Sequence, residues 1–162
     1  MSKKSRGLPI FDWRRPHHWL AYGFGSGLLP WMPGTAGTLV AVPLYLLLRP
    51  LPPIGYLGLL LILFPIGVWA CAKTEKELQA KDPSTIVWDE ALGFLLAMTA
   101  APPGWSWILV GFVLFRFFDI LKPWPIRVLD RKVRGGLGIM LDDLLAGAMT
   151  WLLLQTGARV LG

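Results

Sequence analysis

Residues 54–72 read IGYLGLLLILFPIGVWACA, nineteen positions without a charge. An α-helix needs roughly 20 apolar residues to cross a hydrocarbon core of ~30 Å, and Pro65 inside the run is a kink of a kind that membrane helices tolerate. This stretch is the clearest predicted span, and it sets how its neighbours are read. The uncharged run containing it covers 23 residues between Arg49 and Lys73, and comparable runs flank it: 33 between Arg15 and Arg49, 25 between Glu90 and Arg116, and 15 between Asp143 and Arg159. Only 16% of the 162 residues are charged, against about a quarter in soluble domains. A soluble enzyme and a disordered chain are both excluded on these grounds. A single cysteine, Cys71, excludes an intramolecular disulfide framework and a cysteine-rich zinc site.

The 33-residue run is not one helix. Tyr22 to Gly37 holds five glycines together with Pro30 and Pro33, which predicts a Gly/Pro-rich re-entrant or interfacial loop, followed by a helix near Thr38–Leu48. The 91–115 run contains Pro102-Pro103-Gly104 and is read as a helical hairpin with a short first arm, Ile86–Ala101. Charge decides for the hairpin. With it, five spans run from a cytoplasmic amino terminus, and fourteen of the sixteen Lys and Arg fall on the cytoplasmic side, leaving only Arg49 and Arg159 across the membrane. The expected architecture is therefore an all-α integral membrane bundle of about five embedded helices. One domain covers 1–162, with residues 1–18 as a basic cytoplasmic tail that contacts anionic lipid rather than nucleic acid. The tail lacks an adjacent apolar core and a cleavage site, so no signal peptide is expected.

Under this topology the polar residues gather on the cytosolic rim. Asp89 and Glu90 open the third span, Arg116, Asp119 and Lys122 close the fourth, and Asp142 and Asp143 open the fifth behind the glycines at 135, 136 and 138. Acids in a helix's first turn meet its positive dipole end, and long cations anchor spans by snorkelling. Each group alone has such a structural explanation, but five carboxylates from three segments are explained more economically by one acidic metal site. Hard oxygen ligands favour Mg²⁺, with Asp89, Glu90, Asp142 and Asp143 as its ligands. Asp119 completes the metal site or orients an attacking water. Thr35, Thr38 and the N–H groups of a glycine loop suit phosphate oxygens, and Arg116 and Lys122 would neutralise charge that builds up in transfer.

Absences narrow the chemistry. The two histidines, His17 and His18, lie in the amino-terminal segment and read as interfacial residues. Position 77, six beyond Cys71, is Glu, so the cysteine-phosphatase loop is absent. Position 121 is Leu, so Asp119 lacks the D-x-D pattern of the aspartyl-phosphate enzymes. No P-loop or dinucleotide fingerprint occurs. For a phosphohydrolase this leaves water activated by a metal. A cation transporter using the same carboxylates is the alternative from another class, though here the acids flank the spans.

Four stretches, GFGSGLLPWMPGTAGT (23–38), DPSTIVWDEALG (82–93), FRFFDILKPWPI (115–126) and GGLGIMLDDLLAG (135–147), resemble the phosphatidylglycerophosphatase A family over about residues 23–151. The resemblance implies a Mg²⁺-dependent enzyme of the bacterial inner membrane, mostly helical. Such an enzyme would hydrolyse phosphatidylglycerophosphate to phosphatidylglycerol and phosphate.

Overall fold

A computed structural model describes residues 11–161, and Lys3, Lys4 and Arg6 of the basic tail lie outside them. The described residues form seven α-helices and no strand: α1 Pro16–Ala21, α2 Pro33–Leu48, α3 Pro53–Leu78, α4 Trp88–Ala97, α5 Trp105–Leu121, α6 Ile126–Lys132 and α7 Gly135–Leu161.

Proline and left-handed residues punctuate them. Proline opens α1, α2 and α3, where the missing N–H costs nothing and the fixed φ suits the first turn. Left-handed Gln79 and Lys122 end α3 and α5. The 54–72 run lies within α3, which carries Pro65 inside it. Among the described residues only α3 and α7 are both long and apolar enough to cross a membrane, so five full spans are not what the helix lengths give. α2 and α5 are 16 and 17 residues long.

The helix that departs furthest from its expected span is α4. It has ten residues, eight of them buried, so it is the central post of the bundle rather than a lipid-facing arm. Phe94, Leu92, Leu95 and Met98 on and after α4 are wholly buried, together with Phe115 of α5 and Leu154 of α7. The hairpin turn at Pro102-Pro103-Gly104 does return α5 antiparallel to α4, and Arg116 comes back to 3.9 Å from Glu90. By contrast the outer surface is apolar: Ile54 is 87% and Leu61 75% exposed on α3. That is the reverse of a water-facing helix.

Three expectations need correction. The Gly/Pro-rich segment ends earlier than expected, since α2 begins at Pro33 and takes in Gly34 to Gly37. The glycines at 135–138 are helical and form no loop. Gly136 lets the α7 backbone lie against Val68 and Ala72 of α3, where a Cβ would meet the Ala72 nitrogen at 2.6 Å. Residues 12–18 are not a loose tail. Asp12 accepts from Arg15 at 3.1 Å, and His17 and His18 are buried rather than interfacial.

Candidate functional site

Two glycines place the carboxylates. On α4, Gly93 is one turn beyond Asp89, and on α7, Gly147 is one turn beyond Asp143. The two helices cross there with backbones touching. A Cβ on Gly93 would lie 2.6 Å from the Asp143 carbonyl oxygen, and one on Gly147 would strike Gly93 itself. Small residues allow such close approach between apolar helices. Residues four apart share a helix face, so this crossing turns Asp89 and Asp143 towards each other. Nothing in the sequence singled out Gly93 or Gly147 as site-building. Their i+4 spacing from the acids was the available signal.

The result is a compact acidic group. Asp89, Glu90 and Asp143 each offer an oxygen, all within 4.8 Å of one another. Asp89 and Asp143 are 7% and 2% exposed. Asp89 Oδ1, Glu90 Oε2 and Asp143 Oδ2 are buried without a hydrogen-bond partner among the described residues. Buried carboxylate oxygens are stable only when paired, hydrogen-bonded or bound to a cation. Three carboxylates grouped this closely, each with an unsatisfied buried oxygen, fit a hard divalent cation, which takes oxygen ligands.

A cationic wall adjoins this group. Arg116 is hydrogen-bonded through Nη1 to Asp119 one turn on, and its Nε is buried without a partner. Asp119 in turn neighbours Asp143. The first turn of α2 covers Glu90 and Arg116, so that a Cβ on Gly34 would meet the two terminal guanidinium nitrogens at 3.0 and 3.1 Å. α2 has no side-chain cap, and its first backbone bond to its cap residue is made by Ala36. The N–H groups of Gly34 and Thr35 are thus left over at the positive end of the helix dipole. Gly34, in the stretch whose N–H groups were expected to suit phosphate, is a third glycine that shapes the site.

Not every expected site residue joins. Asp142 precedes Asp143, and a helix turns about 100° per residue, so its carboxylate faces elsewhere. Its Oδ2 accepts from Lys122 Nζ at 2.5 Å, and Lys122 also donates to Asp130 at 3.0 Å. Asp142 is thereby held outside the three-oxygen group, and Lys122 is committed to carboxylates. Burial alone would lower the Lys122 ammonium's pKa, but its bond to Asp142, followed by that to Asp130, outweighs burial and raises it above the usual lysine value. The acids also sit two turns inside α7 rather than at its opening. Thr38 is fully buried and donates its hydroxyl hydrogen to the Gly34 carbonyl at 2.9 Å within α2. Thr35, half-buried in the first turn, stays beside the site.

A second polar group lies at the end of α3. Glu77 accepts from His17 Nε2 at 3.1 Å, His18 Nε2 at 2.8 Å and Arg15 at 2.9 Å. His18 Nδ1 accepts the Asp12 backbone N–H at 3.0 Å, which places the ring's proton on Nε2. That nitrogen then has no lone pair for a metal, and the group is a latch that ties α1 to α3.

Known proteins resemble this chain over most of its length. The profile of the family described as Phosphatidylglycerophosphatase A matches residues 19–158. A protein of Escherichia coli named Phosphatidylglycerophosphatase A is 46% identical over 136 residues, covering 83% of this chain and 79% of that one. Its namesake from Haemophilus influenzae is also 46% identical, over 81% of this chain and 82% of its own length. A Bacteroides thetaiotaomicron protein, provisionally named a phosphatidylinositol-3-phosphatase, is 39% identical over 86% of this chain and 92% of its own. No solved structure matches. With the match running through all four helices that build the acidic group and its cationic wall, the chain belongs to the phosphatidylglycerophosphatase A family.

Proposed function

We propose that this protein is a Mg²⁺-dependent phosphatase that hydrolyses phosphatidylglycerophosphate to phosphatidylglycerol and phosphate at the cytosolic face of a bacterial inner membrane. The observation that carries the reading is the group of three buried, unsatisfied carboxylate oxygens beside an arginine nitrogen that also lacks a partner. The names of the relatives supply the substrate.

Asp89, Glu90 and Asp143 hold the metal ion. When bound, Mg²⁺ polarises phosphoryl oxygens and lowers the pKa of water, which supplies a nucleophile near neutral pH. Arg116 donates its unused Nε to the phosphate and balances the charge that develops during transfer. Asp119 holds the guanidinium in place through its Nη1 bond. The spare N–H groups of Gly34 and Thr35 orient the phosphate at the start of α2, the usual behaviour of a helix amino terminus towards an anion. Asp142, Lys122 and Asp130 brace α5 and α6 against α7 and keep Asp143 in register.

The membrane side follows from charge. Lys73, Lys76, Lys81, Arg127, Arg131, Lys132 and Arg134 flank the end of the bundle that holds the acids, while Arg49 and Arg159 lie at the ends of α2 and α7 that run away from it. By the positive-inside rule the site end is cytosolic. α3 and α7 span, and the shorter helices pack within the bilayer against them. Beyond Glu90 on α4 and beyond Asp143 on α7 no further acid occurs in either helix, so no carboxylate path crosses the bundle as a transporter would need.

The test is phosphate release by the purified protein from phosphatidylglycerophosphate, phosphatidate and a soluble phosphate ester, with Mg²⁺ and with a chelator. Release from phosphatidylglycerophosphate that depends on Mg²⁺ is expected. Equal release in chelator would remove the metal from the mechanism, and faster release from the soluble ester would remove the lipid.

A further inference from the structure

An apolar groove of about 270 Å³ runs between α2 and α4. Val40, Pro43, Leu44 and Leu47 form its α2 wall, and Trp88 and Ala91 its α4 wall. The four α2 residues recur at helical spacing along one stripe. Phe24 forms the lip: its backbone is left-handed (φ 56°), its ring is more than half exposed and sits edge-on to Trp88 at 6.3 Å. Every side chain around the groove is apolar, and Leu47 is 74% exposed at its outer rim.

Its position relative to the acids identifies what fills it. Trp88 and Ala91 bracket Asp89 and Glu90 on α4, and the α2 helix that walls the groove begins with Gly34 against Glu90 and Arg116. At 1.5 Å per residue, Val40 lies about 9 Å and Leu47 about 20 Å along α2 from Gly34. A phosphoglycerol unit bridges the first distance, and a hydrocarbon chain extends along the rest. The larger apolar groove, between α5 and α7, is lined by Pro102, Leu153 and Leu161 at the far end of both helices and has no such continuity.

We infer that the α2–α4 groove holds one acyl chain of the substrate lipid and so fixes the distance between bilayer and scissile phosphate. The inference rests on the lipid-phosphatase reading above. It makes Leu44, Leu47 and Phe24 determinants of specificity for the apolar part of the substrate, whereas the carboxylates and Arg116 act only on its phosphate.

The experiment uses the full chain in detergent and measures KM for phosphatidylglycerophosphate with two hexanoyl and with two octanoyl chains, both below their micellar concentrations. Each buried methylene is worth about three- to fourfold in affinity, so the two added to the chain in the groove lower KM in the unaltered protein roughly tenfold from the six-carbon to the eight-carbon substrate. Leu44→Trp and Leu47→Trp, which fill the groove, reduce that ratio to less than about twofold. Leu153→Trp, in the far groove, leaves it in place. A ratio of KM values does not depend on the fraction of folded protein, so partial misfolding does not mimic the effect. A tenfold ratio that survives both groove substitutions overturns the inference. If the unaltered protein releases phosphate from neither lipid, the phosphatase reading itself has failed. The groove is then judged by photo-crosslinking with an octanoyl-diazirine phosphatidylglycerophosphate: labelling at Phe24 or Leu47 supports it, and labelling elsewhere or none overturns it.

Discussion

Replacing Asp143 with Asn should abolish activity and yet make the metal-free protein more stable. Asp89, Glu90 and Asp143 bring oxygens within 4.8 Å of one another in a buried place. At an effective dielectric constant of about 20, two unit charges at that separation repel by about 3.5 kcal/mol. Neutralising Asp143 removes two of the three pairs, about 7 kcal/mol if all three groups were fully ionised. Arg116, 3.9 Å from Glu90, and side-chain relaxation already offset much of this. A net gain of about 1–3 kcal/mol is expected, as when a strained functional site is relaxed. For a chain of this size each kcal/mol moves the melting temperature by roughly 2–4 °C. The assay is thermal unfolding followed by the fluorescence of the nine tryptophans, in chelator and in Mg²⁺, alongside phosphate release. In chelator the Asn variant melts several degrees above the parent. Mg²⁺ at 100 times its dissociation constant stabilises the parent by about 2.7 kcal/mol and barely moves the variant. Phosphate release falls more than about 100-fold, beyond the loss usual for an outer-shell partner. A variant that melts lower in chelator, or gains as much from Mg²⁺ as the parent, would refute the argument that these three oxygens form a cation site.

Other substitutions probe the surrounding parts. Gly34→Ala puts a methyl group hard against Glu90 Oε1 and 3.0 Å from the Arg116 guanidinium, so both side chains must shift; phosphate release should fall at least about tenfold, and the overpacking should cost about 1–3 kcal/mol of stability. Arg116→Lys keeps the charge but loses the planar fork, and kcat/KM should drop about 100-fold. Lys122→Ala leaves Asp142, 5% exposed at its side chain, without its partner. Allowing for the lysine's own exposure, the cost is about 2 kcal/mol, and Asp142→Asn in the same chain should restore most of the melting temperature. A purely phosphate-binding lysine would instead lower activity without moving the melt. Gly147→Leu would force α7 away from Gly93, costing about 1–3 kcal/mol by overpacking and, as the carboxylates separate, removing the Mg²⁺-dependent rise in melting temperature.

Much of this protein was legible in one dimension, for a physical reason. A chain with 16% charged residues and uncharged runs of 23 and 25 has to put apolar surface somewhere other than water, so an all-helical form with the long α3 followed from composition. The hairpin at Pro102-Pro103-Gly104 followed from charge bookkeeping, and the acids that meet at the site were among those picked from their motifs. What adjacency in sequence does not encode is direction. Asp142 and Asp143 are chemically identical neighbours, and the 100° helical turn between them sends one to Lys122 and the other to Asp89 and Glu90. The glycines at 135–138 looked like a loop because glycine is a poor helix former. They are helical because α3 lies so close to α7 at Gly136 that no side chain fits, a packing demand that overrides local propensity. α4 read as a membrane arm because burial in protein and burial in lipid demand the same apolar side chains. Only the assembled bundle, with eight of those ten residues covered by neighbouring helices, distinguishes the two.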